Sequence, residues 1–132
     1  MDFFQRIVVW NNERGLINLG FNHQKEASFV IEELLESTGK YDSESARTKA
    51  KEYAAEIIGD AQATPEQIVD AMADIIVFAS GAIAKSGYNP SLVMEEVYKE
   101  INSRKGTLVE GKFVKDPNIV PYKADFSICK DV

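Results

Sequence analysis

Very little in this chain could build a disulfide, a zinc site or a basic surface. It has one cysteine, Cys129, and one histidine, His23. A single cysteine excludes an internal disulfide framework and reads as a free thiol on a terminal tail. Without further His or Cys donors, a site would be oxygen-based, which suits zinc poorly. Basic residues are outnumbered, 15 against 21 acidic ones, for a formal net charge of −6. A sequence-independent nucleic-acid binder needs a basic face to displace counterions, so no nucleic-acid partner is expected. An anionic substrate is still admitted, because a bound divalent cation inverts the local charge. The most apolar run, Ala71–Ala84, contains Asp74 and Ser80 and falls short of a bilayer span. Residues 1–10 lack the basic start and apolar stretch of a signal peptide. The expectation is a soluble cytoplasmic protein with no membrane partner.

What is present fits one compact domain, 1–132. Hydrophobic residues make up 45% and charged residues 27%, a globular rather than a disordered balance. An apolar-aromatic opening (Phe3, Phe4, Ile7 to Trp10) reads as a short helix, and the stretch after Gly15 as loop. Apolar spacing at Ala27, Val30, Ile31 and Leu34 predicts a helix over 23–37, capped by Asn22 and stopped by Gly39. A second helix, 44–58, has a face of small residues (Ala46, Ala50, Ala54) and ends at Gly59. Thr64-Pro65-Glu66-Gln67 opens a third helix that runs to about Lys85. That helix is apolar on nearly every face, so it must be buried all round, and other subunits are expected to help cover it. A fourth helix, 90–103, follows Asn89-Pro90. Residues 104–132 form an irregular arm in which Thr107–Val114 alternates like a small hairpin. The class is all-α: a four-helix bundle with its core over 23–103, an irregular C-terminal arm, and an oligomeric working unit.

The informative anomaly is where the acids sit. Glu32 and Glu36 are four apart, and Glu33 lies within the same arc of the helix, roughly 100° wide. No lysine or arginine stands among them along the helix, so they repel unless a cation sits there. Asp70 and Asp74 share a face of the apolar third helix, where an unpaired buried carboxylate is costly. Two such groups on facing helices make an oxygen cage of the kind Mg²⁺ or Mn²⁺ prefers. A water held there loses a proton near neutral pH and becomes a nucleophile. The plainer readings are a solvated glutamate run, and an Asp70 favoured by the helix N-terminus.

At these residues the chain resembles the MazG-like, all-α NTP pyrophosphohydrolase superfamily. Glu32-Glu33-Leu34-Leu35-Glu36 matches its EExxE motif. Its later ExxD motif is met with a departure: Ala71 stands three before Asp74, and Asp70-Ala71-Met72-Ala73-Asp74 looks like the DAxxD variant of phage-type members. Asn102-Ser103-Arg104-Lys105 resembles a phosphate-meeting Asn-x-x-Lys segment. Lys115-Asp116-Pro117 and Tyr122 to Phe126 resemble the phage-type C-terminal arm. The resemblance spans about 25–126. It implies Mg²⁺-dependent hydrolysis of a nucleoside triphosphate to monophosphate and pyrophosphate by a homodimer or homotetramer, in a host's cytoplasm if phage-encoded.

On this reading Glu32, Glu36 and Asp74 hold the metal, and Asp70 completes the site directly or through water. Glu33 holds a second ion or acts as general base. Asn102, Arg104, Lys105 and Lys115 meet phosphates, although a basic last helical turn explains the first three as well. Trp10, Asn11 and Arg14 offer a stacking ring and polar groups for a base, which favours a purine such as dGTP or GTP; Trp10 would equally serve as core. The alternatives are a phosphoribosyl-ATP pyrophosphatase, a dUTP or dCTP pyrophosphatase, and a non-catalytic helical oligomerisation module.

Overall fold

In the computed structural model, which describes residues 1–131, the chain is 63% helical with one two-stranded sheet, so its class is all-α. The last residue of the expected arm, Val132, lies outside the described residues. The α-helices are α1 (Phe3–Glu13), α2 (His23–Glu36), α3 (Ser43–Ile58), α4 (Pro65–Lys85) and α5 (Pro90–Ser103). Among the described residues there is thus one α-helix besides the four assigned to the bundle: the aromatic opening, read as a short helix, folds as α1. Asp2 caps it, accepting from the Gln5 N–H while the Gln5 side chain accepts from the Asp2 N–H.

The helices fall into two compact units, one of Gly20–Thr64 and one of Met1–Leu19 with the chain from Pro65 onward. The first is an α2–α3 hairpin. Asn22 and Asp42 cap its helices through side-chain oxygens. Gln24, at the start of α2, donates to the Gly59 carbonyl at the end of α3 (2.6 Å), so the helices run antiparallel. Ala46, Ala50 and Ala54 form the buried face of α3, and their small side chains let α2 approach closely. Leu34, assigned to the inward stripe of α2, is instead 63% exposed, since the narrow alanine face covers only part of that stripe.

In the other unit α1 lies along α5. Arg6 Nη1 donates to Glu95 (3.2 Å), and the Trp10 indole N–H donates to the Ile101 carbonyl (3.2 Å). Asn89 caps α5, accepting from the Ser91 and Leu92 N–H groups, and Val93 and Glu96 are buried on its inner face. Strands β1 (Gly106–Val109) and β2 (Lys112–Lys115) pair antiparallel. Their link, Glu110-Gly111, has φ of +51° and +80°, the primed turn whose twist suits a two-residue hairpin.

The arm beyond the hairpin returns antiparallel along α5. The Tyr122 N–H donates to Ser103 Oγ (2.8 Å), that of Ala124 to Glu100 (3.1 Å) and that of Asp125 to Glu96 (3.0 Å). The Asn89 N–H then donates to the Cys129 carbonyl (2.8 Å), and that of Asp131 to Gly87 (2.9 Å). Cys129 is thus not on a loose tail. It is fully buried, and burial pushes its thiol pKa up.

Helix α4 is the exception to ordinary packing. Within its own chain only a strip that includes Ile68, Met72 and Ile83 is half-buried, while Val69, Val77 and Phe78 are exposed, Phe78 at 76%. Its apolar stretch extends beyond Ala71–Ala84: all 21 residues make a helix long and apolar enough, by length and composition alone, to cross a membrane.

Candidate functional site

The acids assigned to a metal divide between the units, Glu32, Glu33 and Glu36 in one and Asp70 and Asp74 in the other. Among the described residues, no group of three or more His, Cys, Asp or Glu gathers as a metal cluster. Within the α2–α3 hairpin the three glutamates have different surroundings. Glu33 is exposed and Glu36 half-buried, while Glu32 is 3% exposed on the same buried face as Ser28. A carboxylate so placed needs a counter-charge. Part of it comes from α3: Arg47 Nε lies 3.5 Å from Glu32 Oε1. No lysine or arginine stands among the glutamates along α2, and this cation comes from the neighbouring helix. Spacing along one helix is blind to a cation carried by the next. One turn and a half earlier, Glu26 is half-buried, and loss of solvent holds its carboxyl above the usual glutamate range.

Asp70 and Asp74 are both exposed on α4. The burial that made them anomalous in the sequence is not supplied by their own chain, and follows only if something covers α4.

The residues assigned to the substrate come together better. The end of α1, the end of α5 and the root of the hairpin meet. Trp10 hydrogen-bonds to Ile101, and Asn102, Arg104 and Lys105 follow in sequence. Phe113 of β2 meets the Trp10 ring edge-on with centroids 5.6 Å apart. The Arg14 guanidinium stacks over Trp10 at 4.2 Å and lies 5.5 Å from the Phe113 ring. Lys115 pairs in register with Gly106, next to Lys105, and both lysines are exposed. Four cations, Arg14, Arg104, Lys105 and Lys115, thus belong to one region of an otherwise acidic chain. Two are already engaged: Arg104 Nη2 donates to Glu100 (3.0 Å) and Arg14 Nη1 to the Trp10 carbonyl (3.2 Å). One face of Trp10 is covered by Arg14, and Asn11 donates to the Ile7 carbonyl of its own helix (2.8 Å). Asn102 is exposed at the end of α5.

Three residues escape sequence reasoning. Arg47 and Phe113 matter through contacts across elements, which no local pattern encodes. Glu96 is 2% exposed and carries an unusual load: Tyr122 Oη, the Asp125 N–H and Lys99 Nζ (2.9 Å) all donate to it. The Tyr122 hydroxyl first, then the Asp125 N–H and Lys99, hold its pKa down at about 2. Its one signal was an acid on the inner face of α5, near Val93 and Val97.

Comparison with protein-family models, curated proteins and solved structures finds no match to this chain.

Proposed function

We propose that this chain is a Mg²⁺-dependent pyrophosphohydrolase that cleaves a nucleoside triphosphate to the monophosphate and pyrophosphate, with Mn²⁺ able to substitute. The observation that carries the reading is Glu32. It is the first acid of an EExxE pattern on one unbroken helix, and the fold holds it 3% exposed beside Glu36 one turn on. A carboxylate on this face, with Glu36 half-buried on the next turn, is where a hard cation would be held. The oxygen-only donor set fits a hard cation.

Glu32, Glu36 and Asp74 would hold the ion, with Asp70 completing the shell. When bound, such an ion lowers the pKa of a coordinated water and offsets phosphate charge. Glu33, exposed on α2, takes the proton of the attacking water as general base. That water attacks the α-phosphorus, and the bond to the bridging oxygen breaks so that pyrophosphate leaves. Lys105 and Lys115 offer exposed charges to the phosphates, and Asn102 and Arg104 border them. Trp10, Asn11 and Arg14 lie at the base end, where the aromatic surface favours a purine such as dGTP or GTP. The working unit is a homodimer or homotetramer in the cytoplasm, without nucleic-acid or membrane partners.

A panel of ribo- and deoxyribonucleoside triphosphates with Mg²⁺ or Mn²⁺ tests this, with products separated by chromatography. The expected products are monophosphate and intact pyrophosphate; diphosphate and orthophosphate would contradict the proposal. Phosphoribosyl-ATP, dUTP and dCTP belong in the panel, since turnover of one of these would narrow the activity to the corresponding relative. Glu36→Gln with Asp74→Asn should abolish pyrophosphate release with helix content unchanged.

A second reading is favoured by the bare apolar surface of α4. A non-catalytic oligomerisation module would use that surface, and Glu32 and Arg47 would only lock α2 to α3. It predicts no pyrophosphate release from any triphosphate.

A further inference from the structure

We propose that Glu100 is a positioning residue through which the C-terminal arm controls anion binding by Arg104: while the arm is docked, Glu100 grips the guanidinium by one nitrogen and leaves its other N–H groups for a phosphate. The proposal rests on the pyrophosphohydrolase reading for one element, phosphate contact at the end of α5. The two oxygens of the Glu100 carboxylate serve different partners. Oε1 accepts from the Ala124 N–H of the arm (3.1 Å), and Oε2 accepts from Arg104 Nη2 (3.0 Å). The arm holds the same stretch at two further points. The Tyr122 N–H donates to Ser103 Oγ (2.8 Å), and the Asp116 N–H donates to the Lys105 carbonyl. Residues 100–105, which carry Asn102, Arg104 and Lys105, are thus bound along their length by backbone donors of one later segment. All of them belong to one compact unit. The Arg104 side chain is 35% exposed and that of Glu100 26%, so both ends of the pair reach water.

A carboxylate and a guanidinium often close as a bidentate fork, with two parallel N–H···O bonds. That grip uses both oxygens and masks the arginine. Here the Ala124 N–H turns one oxygen towards the arm, and the grip on Arg104 is single. A guanidinium carries five N–H donors in a rigid plane. One engaged nitrogen orients that plane, and the remaining donors can meet an oxyanion. Orientation matters at this place, because the last carbonyls of a helix give its C-terminal end a negative character. An anion is held there only by cations aimed at it. Undocking of the arm frees Oε1, the pair closes as a fork, and Arg104 is withdrawn. Phosphate binding and arm docking then strengthen each other by the same factor, as linkage requires.

The test is calorimetric binding of inorganic tripolyphosphate to the full chain, without divalent metal. Ala124→Pro removes the N–H and should weaken binding by about fivefold. In Glu100→Ala no carboxylate is left to close on Arg104, so the same proline should change binding by less than about 1.5-fold. A purely structural Glu100 would leave the proline effect equal in both backgrounds. That result, or no proline effect in a folded variant, overturns the proposal. The reciprocal measurement needs no change in the arm. Saturating tripolyphosphate should slow hydrogen exchange of the wild-type Ala124 amide by about fivefold relative to amides of α2 and α3, and Arg104→Gln should abolish the slowing. Circular dichroism checks the fold, and if Ala124→Pro does not fold, the exchange measurement decides. Unchanged Ala124 exchange at saturation overturns the proposal, as does a wild type that binds no tripolyphosphate. Pyrophosphate release from the triphosphate panel is read separately. Release without the coupling overturns this proposal alone; coupling without release keeps the phosphate site and overturns the hydrolase reading.

Discussion

The Tyr122 hydroxyl donates to the carboxylate of Glu96, so a residue of the C-terminal arm closes over an acid on the inner face of α5. The same oxygen also accepts from the Asp125 N–H (3.0 Å). Removing its charge leaves these donors facing a weaker acceptor, and a buried donor without its partner is costly. Glu96→Gln should lower the melting temperature by about 5 °C or more, and Tyr122→Phe by less, because Phe keeps the ring and loses one bond. Differential scanning calorimetry measures both. Equal, negligible shifts would mean that the arm does not depend on this acid.

The pH dependence follows from the same site. The carboxyl of Glu96 is held at about 2, below the ordinary glutamate value of 4.5, by the Tyr122 hydroxyl, the Asp125 N–H and Lys99. A depressed carboxylate contributes stability that is complete above its unfolded pKa and is lost as pH falls towards its folded one. Wild-type stability should therefore decline between about pH 4.5 and pH 2 by more than that of Glu96→Gln. Tyr122 is shifted upward by the same bond, so its contribution is present below the usual tyrosine pKa and lost in strong alkali. Parallel acid-unfolding curves for the wild type and Glu96→Gln would contradict this.

Gly106 is required by close approach. A Cβ there would lie 1.9 Å from the Val114 carbonyl oxygen, across the pair that starts the hairpin. No side-chain rotation relieves a clash with backbone, so Gly106→Ala should spread the strands. Hydrogen exchange of the β1 and β2 amides should quicken by at least about tenfold, while exchange in α2 and α3 stays unchanged. If the triphosphate contacts Lys105 and Lys115 as proposed, the Michaelis constant should rise with it.

Much of this was legible in the chain because local chemistry wrote it. Asn22 caps α2 as expected, the chain restarts as α5 after Asn89, and Pro65 opens α4. The alanines of α3 are buried as their spacing implied. What was not legible depends on partners distant in sequence. Nothing near Glu32 announces Arg47 on the next helix, and nothing near Cys129 announces that Asn89 and Gly87 pin the arm around it. Helix α1 continues through Asn11-Asn12-Glu13, polar residues that follow its apolar opening. There the Asn11 side chain bonds to the Ile7 carbonyl of its own helix, and Trp10 bonds to α5.

Helix α4 supports a last prediction, because its two kinds of surface conflict. Val77 and Phe78 are 66% and 76% exposed, apolar area that water disfavours by about 25 cal/mol per Å². Association of copies through this helix would remove that cost, and Phe78→Asp should then reduce a multimeric mass in light scattering to that of one chain, with helix content kept. A wild type that is monomeric at micromolar concentration would count against association. Association would also draw Asp70 and Asp74, now exposed, towards a drier setting, where two carboxylates four residues apart repel. A divalent cation would relieve that repulsion, so Mn²⁺ should strengthen assembly of the wild type. In Asp70→Asn with Asp74→Asn, assembly should be at least as strong without metal and indifferent to its addition. An equal Mn²⁺ effect in both proteins would locate the ion's influence away from α4.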